Sequence, residues 1–387
     1  MGVSFDFKGF ERVVRAVSRV CVVGLAVACT PVSPPVSAVG SPGCGRADLA
    51  FAGDVLLHQV IQSDAAGRPD GFAPAFAPIT SALSAATVTI VNLEGPAAQD
   101  IGPTNREEAD PGTLFDTRIY SGFPRFNYHP SIAGVLRGAG VDVVQTANNH
   151  ALDRGPVGVD RTLAALAGAG LNTTGTVPRG AAGPWHIVRP VSGHRIAFLA
   201  CTYSTNGLAD PASQALGCYG NAPSIPTLIQ SLAARPDIGG VILLPHWGTE
   251  YSATPSARQR QLAQAAADAG AIAVVGAHPH VPQPLDVLVA QDGRQVPVAW
   301  SLGNLISSQW RLEQRTGAIL YLDLGRDAGG RLIAGSPRLL PTRVERSVAQ
   351  GVAVYPALAV PQGAESLRHV QRVFGPDIVE TGQCLAG

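Results

Sequence analysis

"VDVVQTANNHALDRG", residues 141–155, begins as an apolar run of strand type and ends on four polar side chains, Asn148, Asn149, His150 and Asp153, set in one short turn. A turn needs a single Asn or Asp, and only 14% of the chain is charged, so the cluster asks for a chemical explanation. The same arrangement recurs along the chain. "DLAFAGDV" stops at Asp54, "ATVTIVNLEG" at Asn92 and Glu94, "GGVILLPHWGTEY" at His246 and Glu250, "AIAVVGAHPHV" at His278 and His280, and "VPVAWSLGNLI" at Asn304. "RIAFLAC" runs into "TYSTNG", which holds Asn206, and "GAILYLDLG" with "RLIAG" predicts an antiparallel end. Between them, "VGVDRTLAALAGAG" and "PSARQRQLAQAAADAG" have helical spacing and end in Gly. Near-continuous apolar strands alternating with helices imply sheet covered on both faces, with ligands beyond the carboxyl ends of the strands. The polar clusters therefore predict one shared rim.

Composition bounds the rest. The 387 residues are 46% hydrophobic with 44 Gly and 31 Pro, which suits one large globular domain or two small ones with many tight turns. Lys+Arg and Asp+Glu are both 28, so the formal net charge is zero and nothing points to a nucleic-acid partner. Lys8 is the sole lysine; every other fixed cation is an arginine, suited to bidentate capture of carboxylate or phosphate, although a genome-wide bias against lysine codons accounts for it equally well.

The N-terminus reads as a targeting segment. Lys8, Arg12, Arg15 and Arg19 precede "VCVVGLAVA", far shorter than the roughly 20 residues of a spanning helix. The end of this stretch, "LAVAC", resembles the lipobox of a bacterial lipoprotein, which implies a signal peptide over 1–28 and an acylated Cys29 as lipid anchor. The alternative is ordinary cleavage near "VSAVG", giving a secreted protein. Residues 29–46 are rich in Pro and Ser and read as a tether. The main domain is expected over 47–345, with a C-terminal extension over 346–387 packing on it.

Cys44, Cys201, Cys218 and Cys384 do not fall at zinc-site spacing and in an oxidising compartment are expected to form disulfides. Cys201 with Cys218 and Cys44 with Cys384 is the preferred pairing among three connectivities. Residues 99–130 show neither strand nor helix pattern, and a loop this long is usually functional, here a lid or substrate-facing insertion.

The rim set is Asp54, Glu94, Asn149, His150, His246, His278 and His280, without a thiolate. Hard oxygen donors mixed with imidazole suit Mn, Fe or Zn, as one ion or two. Two ions about 4 Å apart can activate a water and stabilise attacking and leaving oxygens at phosphorus. Asn149 would offer its oxygen to a metal. His150 would stay free to protonate a leaving group, with Asp153 fixing its tautomer. The blander readings are an Asx-turn at Asp54, an exposed turn at Glu94, a strand-exit turn at "HPH", and a helix cap or arginine pair at Glu250. His58 is read as structural or solvent-facing.

In order and spacing, "AGDVLLH", "VNLEGP", "TANNHALDRG", "TYSTNG", "PHWGTEY", "GAHPHVPQP" and "SLGNLI" resemble the CapA family of poly-gamma-glutamate capsule biosynthesis proteins, over roughly Ala47 to Leu324. That family looks like a branch of the calcineurin-like metallophosphoesterases. The resemblance implies an α/β (α+β) four-layer metallophosphoesterase-like sandwich, two packed mixed β-sheets flanked by helices. It also implies metal ligands at Asp54, Glu94, Asn149, His246, His278 and His280, and a catalytic pair His150 and Asp153. Asn92, Asn148, Asn206, Glu250 and Asn304 are expected to contact substrate. Two positions depart from the metallophosphoesterase pattern: Leu56 stands where a histidine is usual, and the bridging acid is Glu94 rather than Asp. His58 would need a bulge or turn to compensate.

Three functions are compatible with this pattern. One is an assembly protein that binds an anionic polymer such as poly-gamma-glutamate, alongside a membrane synthase complex, and carries a metal site. The second is a metal-dependent hydrolase of an envelope phosphoester or amide. The third is a scaffold, against which the Asn-His-x-x-Asp cluster speaks.

Overall fold

The computed structural model describes residues 46–220, 223–347 and 351–381. The strands in chain order are β1 (Ala47–Val55), β2 (Ala86–Leu93), β3 (Val143–Gln145), β4 (Asn172–Thr174), β5 (His186–Val191), β6 (His194–Thr202) and β7 (Gly240–His246). There follow β8 (Ala271–Val275), β9 (Pro282–Val289), β10 (Gln295–Leu302), β11 (Asn304–Ile306), β12 (Thr316–Arg326), β13 (Leu332–Ser347) and β14 (Gly351–Pro356). One sheet runs β14-β13-β12-β1-β2-β3-β4, with β11 also on β1; the other runs β5-β6-β7-β8-β10-β9. Both are mixed: β1 is parallel to β2 and antiparallel to β12, and β8 is parallel to β10, which is antiparallel to β9.

Alternation along the strands makes the layers. In β1, Leu49 and Phe51 face the second sheet, where they join Ile196, Phe198 and Ala200 of β6 and Ile242 and Leu244 of β7. Their neighbours Ala50 and Ala52 face outward onto helices Gln59–Ala66 and Ser131–Gly138, through Ile61, Ile132 and Leu136. Ala197, Leu199 and Cys201 of β6 face the opposite way, onto helices Ile225–Ala233 and Ala257–Asp268. Helix, sheet, sheet, helix is thus the four-layer order, and both faces of each sheet are buried, which is why the strands read as unbroken apolar runs. Helix Gly363–Phe374 adds Val370 and Phe374 to the core between the sheets. Among the described residues no helix is long and apolar enough to cross a membrane.

β5 and β9 do not stand out in the sequence, because Pro190, Pro282 and Pro284 interrupt their patterns. Both are edge strands, where a missing backbone N–H costs no ladder bond. Cys201 and Cys218 form the expected disulfide. It closes the loop that carries Tyr203, and a loop of that length stabilises a fold by about 3 kcal/mol. The signal segment, Cys29 and the pair Cys44 and Cys384 lie outside the described residues.

Candidate metal centre

The carboxyl ends of the central strands from both sheets meet at one rim. In the first sheet Asp54 is in register with Asn92 of β2 and Asn304 of β11. Such close approach needs Gly53, where a Cβ would stand 1.8 Å from the Gly303 carbonyl oxygen. Glu94 follows β2, and its N–H donates to Val55 O at 3.1 Å. From the second sheet comes His246 at the end of β7, anchored by the fully buried Trp247, whose Nε1–H donates to Trp300 O at 3.0 Å. His278 and His280 follow β8 with φ of 100° and 58°. Non-glycine residues rarely occupy that region, at a cost of about 1–3 kcal/mol each, so the fold holds both imidazoles in strained positions.

Donor atoms converge there. Asp54, Glu94 and His280 offer ligand atoms all within 4.8 Å of one another; so do Glu94, His246 and His278, and so do Glu250, His278 and His280. Asn149 Oδ1 lies 2.9 Å from His246 Nε2, and Glu94 Oε1 is 3.4 Å from the same nitrogen and 3.7 Å from His280 Nε2. Glu94 is completely buried, yet neither of its carboxylate oxygens has a hydrogen-bond partner, and buried His278 Nδ1 has none. Buried polar atoms are normally satisfied, so three orphans in one pocket fit a cation. With no thiolate among them, these oxygen and imidazole donors suit a divalent metal.

Electrostatics agree. Burial by itself would raise the Glu94 carboxyl, but the imidazoles of His280 and His246 outweigh it and hold the group well below the usual carboxylate range. Burial would lower His280, but Glu94 and Asp54 push it up to about 9. His278 is pushed well down, by burial first and then by His246.

Three of the residues expected against substrate are hydrogen-bonded beside the donors and His150. Asn92 Nδ2 donates to Asp54 Oδ1 at 2.8 Å and lies 3.2 Å from His246 Nδ1. Asn148 donates to Leu93 O at 2.7 Å and accepts the His150 N–H at 3.2 Å. Asn304 Oδ1 lies 3.0 Å from His280 Nδ1, while its Nδ2 donates to Gln314 O at 2.8 Å. All three are buried, with their amides engaged inside the protein; Asn92 and Asn304 brace donor residues, and Asn148 braces the turn that carries His150. Asn206 is an exposed turn residue with φ 53°, its N–H on Ser204 Oγ. Glu250 is exposed at the rim within reach of His278 and His280; the following helix is capped by Ser256.

His150 belongs to none of the donor groups. Its Nδ1 lies 2.7 Å from Asp153 Oδ2, an oxygen that also accepts the Phe126 N–H at 2.7 Å. Burial works against the charged imidazole, but Asp153 prevails and raises it. Leu56 is buried in the outer hydrophobic core. Two rim aromatics, Tyr203 and Phe126, escape the sequence reading, and His58, read there as structural or solvent-facing, lies beside the second of them. Tyr203 rests on His278 with ring centroids 4.5 Å apart, Phe126 meets His150 edge-on at 4.7 Å, and His58 meets Phe126 at 5.5 Å. Tyr203 does stand in a strand-end motif, "TYSTNG", whereas no local pattern singles out Phe126 within its loop.

Residues 48–309 match the family model of the bacterial capsule synthesis protein PGA_cap. The chain belongs to the PGA_cap family. This PGA_cap chain is 27% identical over 290 residues to the PGA biosynthesis protein CapA of Bacillus subtilis (strain 168), covering 73% of this chain and 69% of that one. It is 30% identical over 223 residues to the capsule biosynthesis protein CapA of Bacillus anthracis, covering 55% and 53%. The match thus spans little more than half the length of the second relative. Among solved structures, Haemophilus influenzae NAD nucleotidase (NadN) aligns over 86% of the PGA_cap chain and 56% of its own at 14% identity, with a TM-score of 0.46.

Proposed function

We propose that this chain is a metal-binding envelope protein that takes part in making or exporting poly-gamma-glutamate or a related anionic polymer. The observation that carries the metal is Glu94, a sealed carboxylate with two unpartnered oxygens among Asp54, Asn149 and three imidazoles. The polymer is suggested by the family and by the names of its relatives. Mn, Fe or Zn would be held by Asp54, Glu94, Asn149, His246, His278 and His280, and would supply Lewis-acid and water-activating chemistry. Plasma mass spectrometry of protein purified without chelators should find near-stoichiometric metal in wild type and much less in His278→Ala. Wild type that stays metal-free after reconstitution with each ion would sink the reading.

A hydrolase acting on an envelope phosphoester or amide is the second reading, favoured by the His150–Asp153 pair. His150 stands outside the donor groups, oriented by a carboxylate and free to deliver a proton to a leaving group. His150→Ala should lower turnover of any hydrolysed substrate by about 100-fold or more while metal content stays at the wild-type level. Metal lost with the ring would make His150 a ligand instead.

The same proposal puts the domain outside the cytoplasm, held at the membrane by an acylated Cys29 beside a membrane synthase. A Cys29→Ser chain should leave the membrane fraction; if it stays there, the anchor lies elsewhere.

A further inference from the structure

Two of the donor groups consist of buried side chains, and the third does not. Glu250, which shares the third with His278 and His280, is exposed at the mouth of the centre. Its place is nevertheless fixed by the turn that carries the two imidazoles. Before it in the chain, the Trp247 N–H donates to Ala277 O at 3.0 Å; directly after it, the Tyr251 N–H donates to Pro279 O at 2.8 Å. Glu250 is thus held between two backbone ties to the His-Pro-His segment.

Tyr251 holds the carboxylate further. It adopts a φ of 63°, a region that non-glycine residues rarely occupy, and its ring lies 6.1 Å from that of His280. Its hydroxyl is hydrogen-bonded to Glu250 and accepts from Gln309 Nε2 at 3.2 Å. Gln309 Oε1 in turn accepts from Asn304 Nδ2 at 3.0 Å, and Asn304 Oδ1 lies 3.0 Å from His280 Nδ1. A chain of polar contacts therefore runs from His280 through Asn304, Gln309 and Tyr251 to Glu250, the kind of outer support that orients metal ligands.

The donor groups leave a place for this carboxylate. Glu94, His246 and His278 have the Asn149 oxygen beside them, whereas Asp54, Glu94 and His280 stand without a fourth side chain. A divalent ion takes about four donors or more, so that position is completed by water or by a further residue. Among the described residues no arginine forms an ion pair with Glu250. Left bare at the mouth, its charge would repel an anionic polymer; bound to a cation it does not. We propose that Glu250 is a metal ligand, completing from the solvent side the ion position of Asp54, Glu94 and His280. Because the group is exposed, that ion stays open to solvent and to an incoming ligand. The assignment rests on the metal-centre reading.

The test uses the full chain and Mn²⁺ alone, by equilibrium dialysis, with thermal melting of the metal-free protein as a check on folding. Glu250→Gln keeps the size of the side chain and removes its charge. The metal-free variant should melt like wild type but bind one Mn²⁺ about 10-fold or more weakly. In His246→Ala, where the Asp54, Glu94 and His280 position remains, adding Glu250→Gln should remove the tight binding that is left. Mn²⁺ binding identical to wild type overturns the assignment and leaves the centre standing; if γ-glutamylglutamate then binds differently, Glu250 is a contact of the ligand instead. A metal-free melting point that falls with the substitution makes Glu250 structural and also overturns it. Wild type that takes up no Mn²⁺ overturns the metal centre itself, and this assignment with it.

Discussion

Glu94→Ala should abolish tight metal uptake at the whole centre, whereas His246→Ala should spare part of it. Glu94 is shared by two donor groups, one with Asp54 and His280 and one with His246 and His278. Its Oε1 faces imidazoles from both, at 3.4 Å and 3.7 Å. Removing it withdraws the only carboxylate of the second group and half the carboxylate charge of the first. Loss of an outer partner of a ligand already weakens metal binding by about 10–100-fold, so loss of this ligand should cost about 100-fold or more. His246→Ala leaves Asp54, Glu94 and His280 intact, and equilibrium dialysis with Mn²⁺ should still detect binding there. Equal, mild losses in the two variants would mean that Glu94 does not link the groups.

Arg154→Met should destabilise the protein by about 3 kcal/mol or more and loosen residues 99–127. Arg154 is 1% exposed, and among the described residues no carboxylate pairs with it. Its guanidinium instead donates to Ile101 O at 3.3 Å, Asp153 O at 3.1 Å, Arg118 O at 3.2 Å, Ile119 O at 3.3 Å and Ser121 Oγ at 2.6 Å. Burial brings it down to about 10, so it stays charged at neutral pH. One cation therefore satisfies acceptors across a segment without helix or strand. Methionine fills similar volume but strands those acceptors, each at about 1–3 kcal/mol less whatever water recovers. Arg154→Lys should recover little, because an ammonium cannot spread its donors across a planar fork. Urea unfolding would read the stability change, and limited proteolysis would find new cuts between 99 and 127. An unchanged midpoint with an intact loop would show that the acceptors find other donors. The consequence reaches the site, since this loop supplies Phe126 and its N–H to Asp153.

Much of the centre was legible because its residues sit where local patterns break. Asp54, Glu94, His246, His278 and His280 each follow an apolar run, and in sheets covered on both faces such ends collect at one rim. Helices 155–168 and 257–268 were legible for the same local reason. The polar residues accompanying those motifs were harder to place. Asn92, Asn148 and Asn304 have the chemistry of ligand-contacting amides, and only the register of β1 against β2 and β11 puts two of them behind Asp54.

By itself, then, the sequence determined the covered sheets and the strand-end motifs that hold the donor residues, since both depend on short-range pattern and residue chemistry, while the pairing of Cys201 with Cys218 was one preference among three until the structure fixed it. Tertiary structure alone decided which polar side chains face the donors and which support them from behind. It buried Leu56 in the outer core and drew Phe126 out of a patternless loop to His150. The physical reason is that side-chain direction at a rim between two sheets is set by strand register and by contacts between residues far apart in the chain, neither of which leaves a periodic trace.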